Sequence, residues 1–238
     1  YGLSIINTHL ASGACLDVRG PSVESCGFVT YLREHKITSF SGVPHTFEML
    51  ERTGFRRETL PHLRCVAQAG GRLREKLVVD YARWSRSNGS SFFVMYGQAE
   101  ATARIAYLPP SMAEDHPDSI GIAVPGGKVK IVDQNEREII EPGCQGELVY
   151  QGPNVMMGYA LTQEDLLAGP QISCLKTGDV TEKTAEGLLR ITGRRRRFCK
   201  IYGRRCNLDE IERALREVDP TAVCVSNDET LFVGSERE

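Results

Sequence analysis

The chain lacks the features that define several classes of protein. No run of about 18 apolar residues occurs, so no membrane-spanning helix is expected. No basic segment followed by an apolar one resembles a signal peptide. The eight cysteines form no C-x2-C or C-x4-C pair and the five histidines are scattered, which argues against a structural zinc site. We expect reduced thiols and a cytoplasmic location.

Charge of either sign is not in excess. The chain has 29 Lys and Arg residues and 31 Asp and Glu residues, which gives a net charge of −2. The overall charge therefore does not favour binding to nucleic acid or to an anionic membrane. Hydrophobic residues make up 41% and charged residues 25%, as in an ordinary globular protein. The 238 residues allow one large domain or two small ones. Because the first residue is Tyr1 rather than Met, we expect a piece of a longer protein.

The first half of the sequence alternates between strand and helix patterns. This alternation is typical of a largely parallel sheet with crossover helices. Helices are predicted at Glu24–His35, Pro44–Leu50 and Leu73–Trp84, and strands at Cys15–Val18, Ile37–Phe40, Leu63–Gln68 and Ser91–Met95.

The pattern changes after Pro109-Pro110, and short strands separated by turns dominate from Ser119 to Thr192. This predicts an antiparallel or barrel-like region with strands at 129–132, 147–151 and 188–191. A basic hairpin to Cys206 follows, then a helix over 208–218 with Asn207 as its N-cap, and two strands at 222–226 and 230–234. The predicted domains are residues 1–118, 119–192 and 193–238.

Four short segments carry residues suited to chemistry. Gly70 and Gly71 follow a predicted strand and would let a flat ligand approach the backbone. The same two glycines would also be expected in an ordinary turn between a strand and a helix. Residues 96–100 combine an aromatic ring, a glycine and a carboxylate suited to Mg²⁺. Residues 176–179 are predicted as a turn whose Asp179 could accept hydrogen bonds from a ribose diol. Residues 190–206 hold eight Arg or Lys residues and no acid, as in a phosphate site or a solvated face.

Taken together and in order, these segments resemble the adenylate-forming superfamily, and most closely its acyl-CoA synthetase branch. The matching stretches are "AGGRL" (69–73), "MYGQAEAT" (95–102), "GELVYQGPNVMMGY" (146–159), "LKTGDV" (175–180) and "GRRRRFCKIYGRRCNLDEIE" (193–212). The resemblance implies an α/β fold with parallel βαβ layers, a β-rich subdomain and the start of a small α+β C-terminal domain.

The resemblance also implies roles for individual residues. Gly70, Gly71 and Tyr96 would flank adenine, and Gly97 and Gln98, which follow Tyr96, would also bind the nucleotide. The implied catalytic residues are Glu100, which would hold Mg²⁺ beside the phosphates, Arg194, which would also contact the nucleotide, and Lys200, which would act in the second half-reaction. Asp179 is implied as a nucleotide-binding residue that takes the ribose hydroxyls.

The implied reaction is ATP-dependent activation of a small-molecule carboxylic acid to an acyl-adenylate and then a thioester. ATP or AMP and Mg²⁺ are the implied cofactors, coenzyme A or a carrier-protein phosphopantetheine is the implied acceptor, and an acyl carrier protein is a further candidate partner. A hinge between domains is expected near Arg196. Fatty acid metabolism is the implied context.

The sequence departs from the family pattern in several places. Ala99 replaces the usual Thr and Arg196 replaces the usual Asp or Lys. The Ser/Thr/Gly-rich phosphate loop expected upstream of Tyr96 and the C-terminal lysine segment have no match, so we expect the isolated chain to be inactive or weak in adenylation.

Three alternatives stay open: an amino-acid adenylation domain loading a carrier protein, a degenerate nucleotide- or partner-binding module, and nucleic-acid binding through residues 190–206. The lack of interleaved aromatic residues argues against the third.

Overall fold

The computed structural model describes residues 1–201, 204–226 and 230–236, with side chains at positions 196, 198–201, 204 and 205 left outside the description. The chain divides into two compact units. The first comprises Tyr1–Lys128 with Gln151–Leu175, and the second comprises Val129–Tyr150 with Lys176–Glu238. The division into residues 1–118, 119–192 and 193–238 stays a prediction.

A five-stranded sheet organises the first unit. Its strands run in the order β1 (Ser39–Gly42), β2 (Cys65–Gln68), β3 (Ser91–Tyr96), β4 (Ala106–Leu108) and β5 (Ile122–Ala123). The first three strands are parallel, as predicted, whereas β4 and β5 are antiparallel. The antiparallel pairing of β4 follows from its short connection to β3, which is too short for a crossover helix.

The part of the chain that the structure describes contains five α-helices: α1 (Gly2–Ala11), α2 (Phe28–Glu34), α3 (Pro44–Arg52), α4 (Glu75–Ser87) and α5 (Leu208–Arg216). The crossovers from β1 to β2 and from β2 to β3 contain α3 and α4. Phe47 of α3 and Tyr81 of α4 are fully buried, and their rings meet edge to face with centroids 4.9 Å apart. Burial of such aromatic pairs fixes the helices against the sheet.

The prediction of a strand at Cys15–Val18 is wrong. These residues lie in an irregular segment, where Val18 is 80% exposed and has no sheet face to cover. Asp17 holds the segment instead, because its carboxylate accepts a hydrogen bond of 2.6 Å from the Tyr31 hydroxyl and one of 3.1 Å from the Arg19 amide. The predicted helix at 24–35 is also shorter, since α2 begins only after Gly27.

The second unit contains a four-stranded sheet in the order β6 (Lys128–Val132), β7 (Gly146–Gln151), β8 (Leu175–Lys183) and β9 (Leu189–Arg194). Its core includes the fully buried Leu148 and Tyr150 of β7. Lys128 and Gln151, at the ends of two of these strands, are grouped with the first unit.

Two short antiparallel pairs flank α5: β10 (Phe198–Ile201) with β11 (Arg204–Asn207), and β12 (Val223–Ser226) with β13 (Leu231–Gly234). The basic hairpin before residue 206 is therefore confirmed. The Asn207 N-cap is also confirmed, because its side-chain oxygen accepts a 3.0 Å hydrogen bond from the Asp209 amide.

Residues 176–179 do not form the predicted turn. They lie within β8, and Asp179 pairs with Arg194 of β9. A turn was expected because of the Thr-Gly-Asp sequence, but Gly178 adopts φ +75° inside the strand, a conformation that glycine takes at little cost. Asp179 consequently projects from a sheet rather than from a loop.

Within residues 1–201, 204–226 and 230–236, no helix is long and apolar enough to cross a membrane.

Candidate functional site

Two of the predicted site segments lie at the same edge of the first sheet. The strands β2 and β3 are parallel neighbours, and β2 leads into residues 69–71 while β3 leads into residues 97–101. Ligands of α/β sheets bind at the carboxyl ends of parallel strands. The topology therefore places the glycine loop and the glutamate loop at the edge where a ligand is expected.

The glycine loop is held by a buried glutamine. Gln68 is fully buried, and its side-chain amide donates a 2.7 Å hydrogen bond to the carbonyl of Gly71. Gly70 has φ +80°, and a Cβ at either glycine would lie 3.2 Å from a side chain, of Val43 or of Pro44. Both glycines are exposed, so their backbone is accessible to a ligand.

The glutamate loop is compact. Gln98 precedes a single 3₁₀ turn at Ala99–Ala101, and its carbonyl accepts hydrogen bonds from the amides of Ala101 and Ala103, at 3.0 and 2.9 Å. Gly97 has no room for a side chain, because a Cβ there would lie 2.5 Å from the carbonyl of Ala103. The loop returns to the sheet through the Ile105 amide, which donates to the carbonyl of Tyr96 at 2.9 Å.

The Glu100 carboxylate has a specific partner. The Tyr159 hydroxyl donates a 2.6 Å hydrogen bond to its Oε1, and the backbone amide of Met156 donates to the Glu100 carbonyl at 2.8 Å. The bond from Tyr159 lowers the pKa of Glu100, and the pKa of Tyr159 is raised in turn. Glu100 is therefore held in its ionised form.

The segment at residues 152–159 therefore contacts the glutamate loop. The sequence alone did not predict these contacts. The stretch was matched only as part of a family motif, and its contacts span more than fifty positions along the chain. Spacing within a sequence carries no signal for such a pair, so only the fold could reveal it.

In the second unit, two predicted site residues contact each other. Asp179 of β8 and Arg194 of β9 are paired across the strands, and the Arg194 Nε donates a 3.1 Å hydrogen bond to Asp179 Oδ1. The Asp179 side chain is only 6% exposed, whereas that of Arg194 is 71% exposed. An ionised carboxylate has about four acceptor positions, and the bond from Arg194 uses one of them.

The basic stretch that follows is extensively paired with acids. Arg190 contacts Glu182 at 3.1 Å, and Arg195 contacts Glu147 at 2.6 Å. The guanidinium of Arg197 contacts two carboxylates of α5, Asp209 at 2.5 Å and Glu212 at 2.6 Å. These pairs neutralise much of the local positive charge.

Lys200 lies on β10, but its side chain falls outside the described residues, as does that of Arg196 at the predicted hinge. Among the residues whose positions are described, no group of three or more His, Cys, Asp or Glu side chains gathers as a complete metal cage. None of the seven cysteines with described side chains forms a disulfide bond.

A model of the AMP-binding enzyme family matches residues 1–160, which is more than half of the chain. The chain belongs to the AMP-binding enzyme family. The matched stretch includes the glycine loop, the glutamate loop and Tyr159. The predicted family is therefore confirmed.

The relatives include both CoA ligases and nonribosomal peptide synthetases. The chain is 31% identical over 191 residues to the long-chain-fatty-acid–CoA ligase of Escherichia coli O157:H7, covering 78% of this chain and 32% of that protein. It is 31% identical over 185 residues to the 2-succinylbenzoate–CoA ligase of Bacillus pumilus, covering 77% of this chain and 36% of that one. The chain thus spans about a third of the length of these relatives.

Solved structures of the family confirm the predicted α/β fold. The o-succinylbenzoate CoA synthetase of Bacillus subtilis, in complex with the acyl-adenylate intermediate, has a TM-score of 0.76 and 25% identity, covering 98% of this chain and 48% of that one. The same enzyme in complex with ATP and magnesium ion has a TM-score of 0.75 at 24% identity, covering 100% of this chain and 50% of that one.

Proposed function

We propose that this chain is part of an AMP-forming acid–thiol ligase that activates a carboxylic acid with ATP and transfers the acyl group to a thiol. The observation that carries the proposal is the Glu100 loop: an ionised carboxylate, held by Tyr159, at the carboxyl edge of a parallel sheet in a family of AMP-binding enzymes. The relatives named above are CoA ligases, which supports the same reaction class.

The residues present fit a magnesium ion. Mg²⁺ takes hard oxygen ligands and usually keeps several waters, so one or two carboxylates with substrate phosphates suffice. Glu100 offers such a carboxylate, and its lowered pKa keeps it charged. When bound, the ion would neutralise charge on the phosphates of ATP.

We assign the nucleotide contacts residue by residue. The accessible backbone of Gly70 and Gly71 and the half-buried ring of Tyr96 suit the faces of adenine, and Gly97 and Gln98 shape the same loop. These assignments rest on the loop geometry and on the resemblance to the family.

Asp179 and Arg194 are assigned to the ribose hydroxyls and to the nucleotide, respectively. A carboxylate accepts hydrogen bonds from a diol, and a guanidinium donates to a phosphate. Lys200 is assigned to the second half-reaction, in which a cation beside the adenylate would assist transfer.

The proposed chemistry has two steps. An oxygen of the substrate carboxylate attacks the α-phosphorus of ATP, and the bond to the bridging oxygen breaks to release pyrophosphate. The sulfur of a thiolate then attacks the acyl carbon, and the C–O bond to AMP breaks. Coenzyme A is the proposed acceptor, and a carrier-protein phosphopantetheine is the alternative.

We also propose a role in fatty acid metabolism and a cytoplasmic location. The location is in keeping with the seven described cysteines, none of which forms a disulfide bond.

The experiment is ATP–pyrophosphate exchange by the natural protein that carries this chain, with fatty, aryl and amino acids as substrates. Exchange that requires a fatty or aryl acid supports the proposal, and subsequent thioester formation with coenzyme A or with a carrier protein identifies the acceptor. Exchange only with amino acids would favour an adenylation domain of peptide synthesis. No exchange with any acid would favour a degenerate nucleotide-binding module.

A further inference from the structure

The loop that carries Glu100 contains two strained residues. Thr102 and Ala103, directly after the 3₁₀ turn, have φ values of +49° and +62°. Residues with a Cβ rarely adopt this left-handed conformation, and two in succession persist only when the surroundings hold them. The contacts around this pair must therefore hold its backbone in place.

Asn154 supplies that constraint. Its side-chain amide donates two hydrogen bonds, one of 2.7 Å to the carbonyl of Ala101 and one of 2.8 Å to the carbonyl of Arg104. These two carbonyls lie immediately before and immediately after the left-handed pair. A single amide group thus joins both ends of the strained segment, and both of its hydrogens are used.

The same neighbouring segment holds the glutamate itself. Two positions after Asn154, the Met156 amide donates to the Glu100 carbonyl at 2.8 Å, and five positions after it Tyr159 reaches the Glu100 carboxylate. On the other side, Gly97 packs against the Ala103 carbonyl with no space for a Cβ. The left-handed pair is therefore confined between Gly97 and Asn154, and a shift of this pair would carry Glu100 with it.

We propose that Asn154 is a positioning residue for the metal-binding carboxylate: it holds the Thr102–Ala103 segment in its left-handed conformation and thereby fixes Glu100. This inference rests on the proposed function of Glu100. The two hydrogen bonds of Asn154 go to the loop backbone and not to the Glu100 carboxylate, so its loss would act on Glu100 through the loop.

The test compares Asn154→Ala with the unmodified natural protein and with Asn88→Ala as a matched control. Asn88 also donates a side-chain hydrogen bond to a backbone carbonyl, that of Trp84 at 2.9 Å, but at the end of α4. Calorimetric titration of ATP at a series of Mg²⁺ concentrations gives the half-saturating Mg²⁺, and urea unfolding checks that each variant is folded.

We expect Asn154→Ala to raise the half-saturating Mg²⁺ on the order of 10- to 100-fold, the usual loss of metal affinity when a residue that orients a metal ligand is removed, whereas Asn88→Ala leaves it unchanged. ATP binding measured without Mg²⁺ should change little. An unchanged Mg²⁺ dependence in Asn154→Ala would overturn the proposal. So would an equal loss of ATP affinity with and without Mg²⁺, because a general disruption would affect both.

Should Asn154→Ala fail to fold, Asn154→Ser keeps one donor and the same criterion applies to it, with a smaller expected rise. A natural protein that binds ATP independently of Mg²⁺ would overturn the proposed role of Glu100 itself. A natural protein that shows the Mg²⁺ dependence while Asn154→Ala retains it in full would overturn the role of Asn154 alone. The two failures are therefore distinguishable.

Discussion

Replacing Gly97 with alanine tests the packing of the glutamate loop. An added Cβ would lie 2.5 Å from both the carbonyl carbon and oxygen of Ala103 and 2.6 Å from the amide nitrogen of Arg104. Ordinary contacts begin at 3.4 Å, so the two backbone segments must separate by nearly 1 Å. No side chain can rotate away to relieve this, because all three atoms belong to the backbone.

Overpacking of this kind costs about 1–3 kcal/mol, and we place Gly97→Ala in the upper half of that range because only backbone movement relieves it. At 25 °C, about 2 kcal/mol is roughly a 30-fold change in the folding equilibrium constant. Urea unfolding followed by circular dichroism measures the loss directly. We also expect weaker Mg²⁺-dependent ATP binding by the natural protein, since displacement of Ala103 displaces Glu100.

Gly27→Ala is the matched control. Gly27 also has negative φ, −81°, but the atom nearest to its added Cβ is Ser25 Oγ at 3.6 Å, an ordinary contact. Gly27 is the N-cap of α2, where alanine is less favourable than glycine, so we expect a loss of at most about 1 kcal/mol, smaller than that of Gly97→Ala. If Gly97→Ala proves as stable as Gly27→Ala and binds ATP normally, the close approach of residues 97 and 103 is refuted.

Three further perturbations test other features. Tyr159→Phe removes the hydrogen bond that lowers the pKa of Glu100, so this pKa rises and the carboxylate is protonated at a higher pH. The loss of Mg²⁺-dependent ATP binding at acid pH, measured by calorimetry, should therefore move to higher pH. A pH profile that does not move would contradict the assignment. Gly178→Ala should lower the free energy of unfolding, measured with urea, by about 1–2 kcal/mol. The loss comes from the φ of +75° alone, because no atom lies within 4 Å of the added Cβ, and an unchanged stability would contradict that conformation. Asn207→Ala should cost about 1–2 kcal/mol, because it removes both the α5 cap and a 2.9 Å bond to the Thr192 carbonyl, and retention of full stability would contradict the cap.

The sequence predicted the layout of the first sheet because its information is local. Pro44 at the start of a helix and the apolar strand before Tyr96 both gave signals within a few residues, and Asn207 before two acids predicted its cap in the same way. The glycine and glutamate loops could be placed at one edge because parallel neighbours end together.

What the sequence could not predict depends on contacts between distant segments. The strand expected at Cys15–Val18 has no partner strand, which only the assembled sheet reveals. Thr-Gly-Asp indicated a turn, yet pairing with β9 draws Asp179 into a strand. Asn154 and Tyr159 act on a loop more than fifty residues earlier, so no spacing rule could connect them with Glu100.

The proposed reaction begins when the substrate carboxylate attacks the α-phosphorus of ATP. The most direct measurement uses a carboxylic acid labelled with ¹⁸O in both oxygens, with the natural protein, ATP, Mg²⁺ and coenzyme A, followed by mass spectrometry of the products. We expect AMP that carries one ¹⁸O atom, because the bond between the acyl carbon and that oxygen breaks when the thiol attacks. Label in inorganic phosphate with unlabelled AMP, or no labelled product at all, would contradict it.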